Sequence, residues 1–243
     1  MEAGGARVDL GRVFGQTLEI YRENFGPLVG GAVIVVGAAA VLAHILASGG
    51  FILALVGMVI ALVARYLYVG FVVKLVQDVR DGRRDSSMSE LLSAAMPYIG
   101  RLILFSILAG IAIVIGFFLL IVPGLILLTI WAVAVPSIVV ENQGVMSAFG
   151  RSRELVRGEG WSVFAVIILT ALFVGIVGAV AGALGNSIGD DAGRVILSVV
   201  AEVLLAPIFG LVSSILFFDL GGGRGEPAAP PGEAPPAAPP PAA

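Results

Sequence analysis

Cysteine is absent from the 243 residues, which excludes disulfide scaffolds, thiolate catalysis and cysteine-ligated zinc. A single histidine, His44, removes every site that needs two imidazoles. Lysine occurs once, at Lys74, against thirteen arginines. Charged residues make up 13% of the chain, about half the share usual in a soluble domain. The net charge of −3 is small, and the basic residues are scattered among apolar stretches, so nucleic-acid binding is not expected. What fills the space is apolar: 58% hydrophobic residues, 33 glycines and a mean hydropathy of +1.06. An ordinary soluble globule is excluded; the main solvent of this chain is lipid.

A bilayer core about 30 Å thick takes roughly 20 apolar residues of helix. Six such runs occur, at about 28–47, 51–76, 102–122, 125–140, 161–184 and 195–218. The first is too long and begins too late for a secretory signal, so it reads as a retained span. A Pro123-Gly124 turn is expected between the third and fourth. Arg7, Arg12 and Arg22 precede the first run; Lys74, Arg80, Arg83, Arg84 and Arg101 surround the second connection. Arg151, Arg153 and Arg157 fill the fourth, and Arg224 follows the sixth run. Twelve of the 14 basic residues thus fall on one side, which the positive-inside rule makes the cytoplasm, with both termini there.

Three connections on that side carry helical apolar stripes. Leu10, Phe14, Thr17, Leu18, Tyr21 and Phe25 form one; Leu91, Leu92, Ala95 and Ile99 form a second, behind a capping box at Ser87 and Glu90. Val145, Ala148, Phe149, Ser152 and Val156 form a third, with Asn142 as its expected cap. Each ends in an aromatic beside glycine and leads into an odd-numbered span. The pattern predicts an all-α integral membrane protein of six transmembrane helices as three hairpins, each preceded by a cytoplasmic amphipathic interfacial helix. Residues 1–26 form the N-terminal amphipathic segment, 27–220 the transmembrane domain, and 221–243 a disordered Pro/Ala-rich cytoplasmic tail.

From Val122-Pro123-Gly124-Leu125 through Trp131, Pro136, Glu141, Gly144 and Ala148 to the run Arg151–Gly158 and Trp161, the chain resembles the membrane domain found beside bacterial glycerophosphoryl diester phosphodiesterases. The resemblance extends over roughly residues 10–220 and implies a bacterial cell (plasma) membrane protein. The arginine-over-lysine bias agrees with a high-GC genome. The phosphodiesterase itself does not come with it: one histidine and no long soluble segment leave no room for that barrel, and the chain is read as not an enzyme, with no cofactor.

Several residues stand out against this background. Arg65 falls near the middle of the second run, where a basic side chain costs about 2.5–3.5 kcal/mol on insertion scales. Glu202 in the sixth run is its obvious partner. Counting helix rise from the external ends puts Glu202 roughly 12 Å and Arg65 roughly 21 Å deep. The pair reads either as a structural contact or as a polar site of a small transporter or channel. His44, near an external end, reads as an ordinary interfacial residue. Pro136 removes an N–H, frees the carbonyl of Ala132 and kinks the fourth span, delivering Glu141 to the interface beside Arg151 or Arg153. Arg151, Arg153 and Arg157 are candidate partners for anionic headgroups as well as topology determinants. Pro123, Gly124, Trp131, Pro136 and Trp161 form the structural motif. Gly178 and Gly182, four apart in the fifth run, allow close helix packing within the chain or a homo-oligomer. The expected role is a multi-pass membrane protein that is not an enzyme and interacts with membrane lipids or a partner protein; the alternative is transport around Arg65 and Glu202.

Overall fold

The computed structural model describes residues 8–82, 88–187 and 191–223, which are predominantly helical, with no strand among them. Six helical stretches are long and apolar enough to cross a membrane: Phe25–Ala47, Phe51–Arg80, Ser93–Leu119, Ile121–Val140, Gly160–Ser187 and Gly193–Asp219. The chain is a multi-pass membrane protein. Arg83, Arg84, Ser87 of the expected capping box, and residues 224–243 lie outside the described residues.

Helix α1 (Leu10–Glu23) starts where the Asp9 carboxylate accepts the Arg12 N–H at 2.9 Å. Its inward face is Val13 and Thr17, flanked by Leu10, Phe14 and Ile20, and it packs on the last helix. Leu18 and Phe25, expected on that face, point outward. Span one runs through α2 (Phe25–Ala32), a π-helical turn at Val33–Gly37 and α3 (Ala38–Ala47). It packs against span two, α4 (Phe51–Arg80), where a Cβ on Gly57 would lie 2.9 Å from the Ala43 carbonyl oxygen. The short α5 (Met88–Ala95) and a 3-10 turn at Met96–Tyr98 lead into α6 (Ile99–Leu119).

The turn between spans three and four is one residue, Leu120, in extended backbone, rather than Pro123-Gly124. Pro123 falls in the first turn of α7 (Ile121–Ile130), where its missing N–H costs nothing. Gly124 serves close approach instead, because a Cβ there would meet the Phe117 ring at 2.6 Å. Span four breaks at Trp131–Val133 and resumes as α8 (Ala134–Val140). Helix α9 (Val145–Val156) is opened by Gly144; Asn142, the expected cap, instead adopts φ +55°. The stripe Val145, Ala148, Ser152 and Val156 is buried, and α9 packs against α8, α6 and α7. Spans five (α10, Gly160–Ser187) and six (α11, Asp191–Asp219) pack against each other, with α11 also against α4 and α1.

Buried side chains concentrate toward the end of the bundle that carries α1 and α9, around Tyr68, Phe71, Leu102, Phe105, Ile138, Leu211 and Leu216. Toward the other end the helices present apolar side chains outward, among them Phe51, Ile52, Ile115, Phe118, Ile176 and Val180.

Candidate functional site

The break in span four is held by side chains from two other helices. Pro136 cannot donate to Ala132, and the Ala132 carbonyl accepts the Ser213 hydroxyl of α11 at 2.6 Å. The Val133 N–H donates to the Ser152 hydroxyl of α9 at 3.3 Å. Trp131, released from the helix, stands against Phe149 with ring centroids 4.6 Å apart, and Phe149 stands against Phe105 at 4.9 Å. A second proline, Pro207, has a side-chain hydrogen bond beside it but not at the carbonyl it frees. Pro207 in α11 leaves the Val203 carbonyl without its helical donor, and the Tyr21 hydroxyl donates to the adjacent Leu204 carbonyl at 3.0 Å. Burial raises the Tyr21 phenol above its ordinary value.

Directly after α8, Glu141 is almost fully enclosed, with 5% of its side chain exposed. Arg151 binds it through two parallel hydrogen bonds, at 2.8 and 2.9 Å. The Gly223 N–H adds a third at 3.0 Å. Burial alone would raise the carboxyl; the Arg151 and Gly223 hydrogen bonds and the guanidinium charge outweigh it and hold the group below its ordinary value. The same bonds hold Arg151 above its own. Arg153 takes no part: of the two partners expected for Glu141, the structure uses Arg151. Alongside, Arg101 donates to the Asn142 side chain at 2.6 Å and to its carbonyl at 3.1 Å, fixing the left-handed turn that a short amide tolerates.

Gly221–Gly223, assigned by composition to the tail, are folded. The Gly222 N–H donates to the Phe217 carbonyl and the Gly221 N–H to the Phe218 carbonyl, the paired hydrogen bonds of a glycine-terminated helix end, with Gly221 at φ +89°. That geometry aims the Gly223 N–H at Glu141. A glycine just past a periodic run is a helix stop signal, and it was present here. Two residues earlier, Asp219, 8% exposed, pairs with Arg12 at 3.0 Å and Arg80 at 3.8 Å, and the Arg80 guanidinium lies 4.5 Å above the Phe218 ring. No local pattern marked this contact.

With Arg151 committed to Glu141, Arg153 and Arg157 remain exposed on the outer side of α9. Together with Glu154 they border a depression of about 470 Å³ that reaches Thr129 and Ile130 of α7 and Gly160 of α10. It continues into an apolar groove of about 730 Å³ between α7 and α10, lined by Val122, Leu125, Ile126, Trp161 and Phe164. Trp161 is 85% exposed beside it.

Arg65 and Glu202 form no ion pair within 4.0 Å, but both line a cavity of about 200 Å³ between α4, α10 and α11. Gly178 lines it too. A Cβ on Gly178, Gly182 or Gly175 would meet nothing within 4 Å, so these glycines do not pack closely within the chain; Gly185 does, with a Cβ position 3.1 Å from the Arg194 Cα. His44 is exposed on α3 and joins neither site. Among the described residues no three His, Asp or Glu side chains converge in a way that could hold a metal.

An all-helical membrane bundle with a broken fourth span, an arginine-clamped carboxylate at its joint and a groove between spans four and five is the class the geometry defines. Residues 86–221, more than half of the chain, match the family described as "Domain of unknown function (DUF7847)", and the chain belongs to that family. The match takes in Glu141, the α9 arginines, Trp131, Pro136 and Glu202, and leaves out Arg65. No curated protein and no solved structure matches the chain.

Proposed function

We propose that the protein is a non-enzymatic, multi-pass protein of a bacterial plasma membrane that binds anionic phospholipid from the surrounding bilayer. The observation that carries this reading is the α7–α10 groove: apolar walls along the spans, continuous at one end with a depression bordered by Arg153 and Arg157. An acyl chain fits the walls and a phosphate the guanidinium pair, while Trp161 stands where interfacial aromatics anchor. The arginine-rich end is cytoplasmic in this reading, with three units of interfacial helix and transmembrane hairpin. The basic-residue bias and the likeness to the phosphodiesterase-associated membrane domain support that topology.

Two guanidinium groups near a lipid surface are worth about 1 kcal/mol each, or roughly 30-fold in affinity together. Native mass spectrometry of the full chain from nanodiscs of mixed phosphatidylglycerol and phosphatidylcholine is the test. The intact protein retains phosphatidylglycerol preferentially, and Arg153→Ala/Arg157→Ala loses the preference. Equal retention of both lipids, or a preference unchanged in the double variant, refutes it.

A second reading, solute movement through the bundle, is favoured by the cavity that Arg65 and Glu202 share. Flux in proteoliposomes, lost in Arg65→Ala and Glu202→Gln, tests it; flux unaltered in both variants removes these residues from transport.

A further inference from the structure

Among the described residues, Arg65 is the one charged side chain that lines two adjoining cavities of the bundle. Beyond the chamber it shares with Glu202 lies a second, of about 280 Å³, where α4, α6, the span-four break, α10 and α11 meet. Its walls include Tyr66, Phe105, Trp131, Phe209 and Ser213. The guanidinium lies 5.3 Å from the Phe209 ring centroid, a cation–π contact, and has no hydrogen bond or ion pair among the described residues. Arg65 is half-buried, and with a ring face as its one recorded contact its guanidinium has hydrogen-bond capacity to spare for an anion. The Tyr66 hydroxyl has no hydrogen-bond partner among the described residues either, so two donors line one apolar chamber. The Ser213 hydroxyl already donates to the Ala132 carbonyl, so that carbonyl is paired.

We propose that this central chamber binds a small amphiphilic monoanion, a carboxylate on a compact apolar or aromatic body, with Arg65 as its charge partner. Size agrees: the chamber is close to the roughly 300 Å³ lower end of small-molecule pockets, too small for a two-chain lipid. Charge narrows the class further. Glu202 faces the adjoining chamber on the other side of Arg65 and adds a negative field that disfavours dianions such as free phosphate. The aromatic walls of Phe105, Trp131 and Phe209 receive the apolar body, and Arg65 and Tyr66 receive the carboxylate. The chamber shares no lining residue with the α7–α10 groove, so the lipid reading and this one stand or fall separately. Binding here does not require that the anion be transported.

The chain has two tryptophans, and Trp131 lines the chamber. In full-length Trp161→Phe protein in mild detergent, Trp131 is the sole tryptophan reporter, and 4-bromobenzoate quenches it on contact. Expected is saturable quenching by 4-bromobenzoate, with bromobenzene and 4-bromobenzylamine at least about tenfold weaker, because they lack the charge-assisted hydrogen bonds. Adding Arg65→Met to this protein weakens 4-bromobenzoate by a similar factor, while Arg65→Lys retains part of the affinity. Equal quenching by bromobenzene, absence of saturable quenching, or an Arg65→Met protein that binds unchanged overturns the proposal. The comparison of charged and neutral probes needs no change at Arg65, so it remains decisive even where Arg65→Met fails to fold.

Discussion

Replacing Glu141 by glutamine keeps the shape of the side chain and removes its charge. The carboxylate is 5% exposed and accepts three hydrogen bonds, two from Arg151 and one from the Gly223 N–H. Removing one partner of a fully buried ion pair costs about 3–5 kcal/mol. Arg151 is 29% exposed and has Glu154 at 3.8 Å, so part of its charge is resolvated, and about 2–3 kcal/mol is expected. At roughly 2–4 °C per kcal/mol for a chain of this size, thermal unfolding in mild detergent shifts down by about 4–12 °C. The double variant Glu141→Gln/Arg151→Met recovers part of the loss, because no guanidinium is then left facing a neutral amide. The pH dependence has a definite sign. The Glu141 carboxyl lies below its ordinary value in the folded chain, so its stabilisation is complete above the ordinary carboxylate range. It is lost as pH falls through the lowered folded value, and the gap between the parent and Glu141→Gln narrows there. A shift under about 2 °C at neutral pH, or a gap that stays constant on acidification, refutes the assignment of Glu141–Arg151–Gly223 as a clamp.

Two further outcomes follow from the helix contacts. Gly57→Ala destabilises by about 1–3 kcal/mol, since its Cβ meets backbone atoms of Ala43 at 2.9 and 3.0 Å, whereas Gly178→Ala is neutral or gains up to about 1 kcal/mol of helix propensity; the two unfolding temperatures measured side by side check the contrast. Ser213→Ala leaves the Ala132 carbonyl unpaired in the span-four break and lowers stability by about 1–3 kcal/mol, read in the same unfolding assay and by faster hydrogen exchange at Trp131–Val133.

The six apolar helices were legible because lipid is a simple solvent: length and hydropathy alone identify a helix that can cross it. The kink at Pro136 was legible too, since a missing N–H is a covalent fact, but its partner Ser213 comes from 81 residues away and has no local signature. Pro123-Gly124 misled for a related reason. The pair reads as a turn by composition, yet proline is equally at home in a first helical turn and glycine equally useful against a neighbouring ring. Gly178 and Gly182 carry the same ambiguity in reverse, a packing pattern whose neighbours did not approach. Arg65 and Glu202 were singled out by cost alone, which says that a charge must be compensated but not by what. Asp219 follows directly on the sixth apolar run, and nothing in its immediate sequence foretells that it gathers Arg12 and Arg80.

Synthesis proceeds from the N-terminus, and the contacts of Glu141 are not made at once. Arg151 follows it by ten residues; Gly223, which supplies the last hydrogen bond, follows by 82. At about 5–20 residues per second, that is roughly 4–16 s during which the fourth span is in place and its joint is only partly closed. Through that interval spans five and six are still being made. The turn at Gly221–Gly223 thus closes the joint late: all three hydrogen bonds of Glu141 exist only once the sixth span has been made, and a chain cut short before Gly223 keeps the arginine clamp without the third bond.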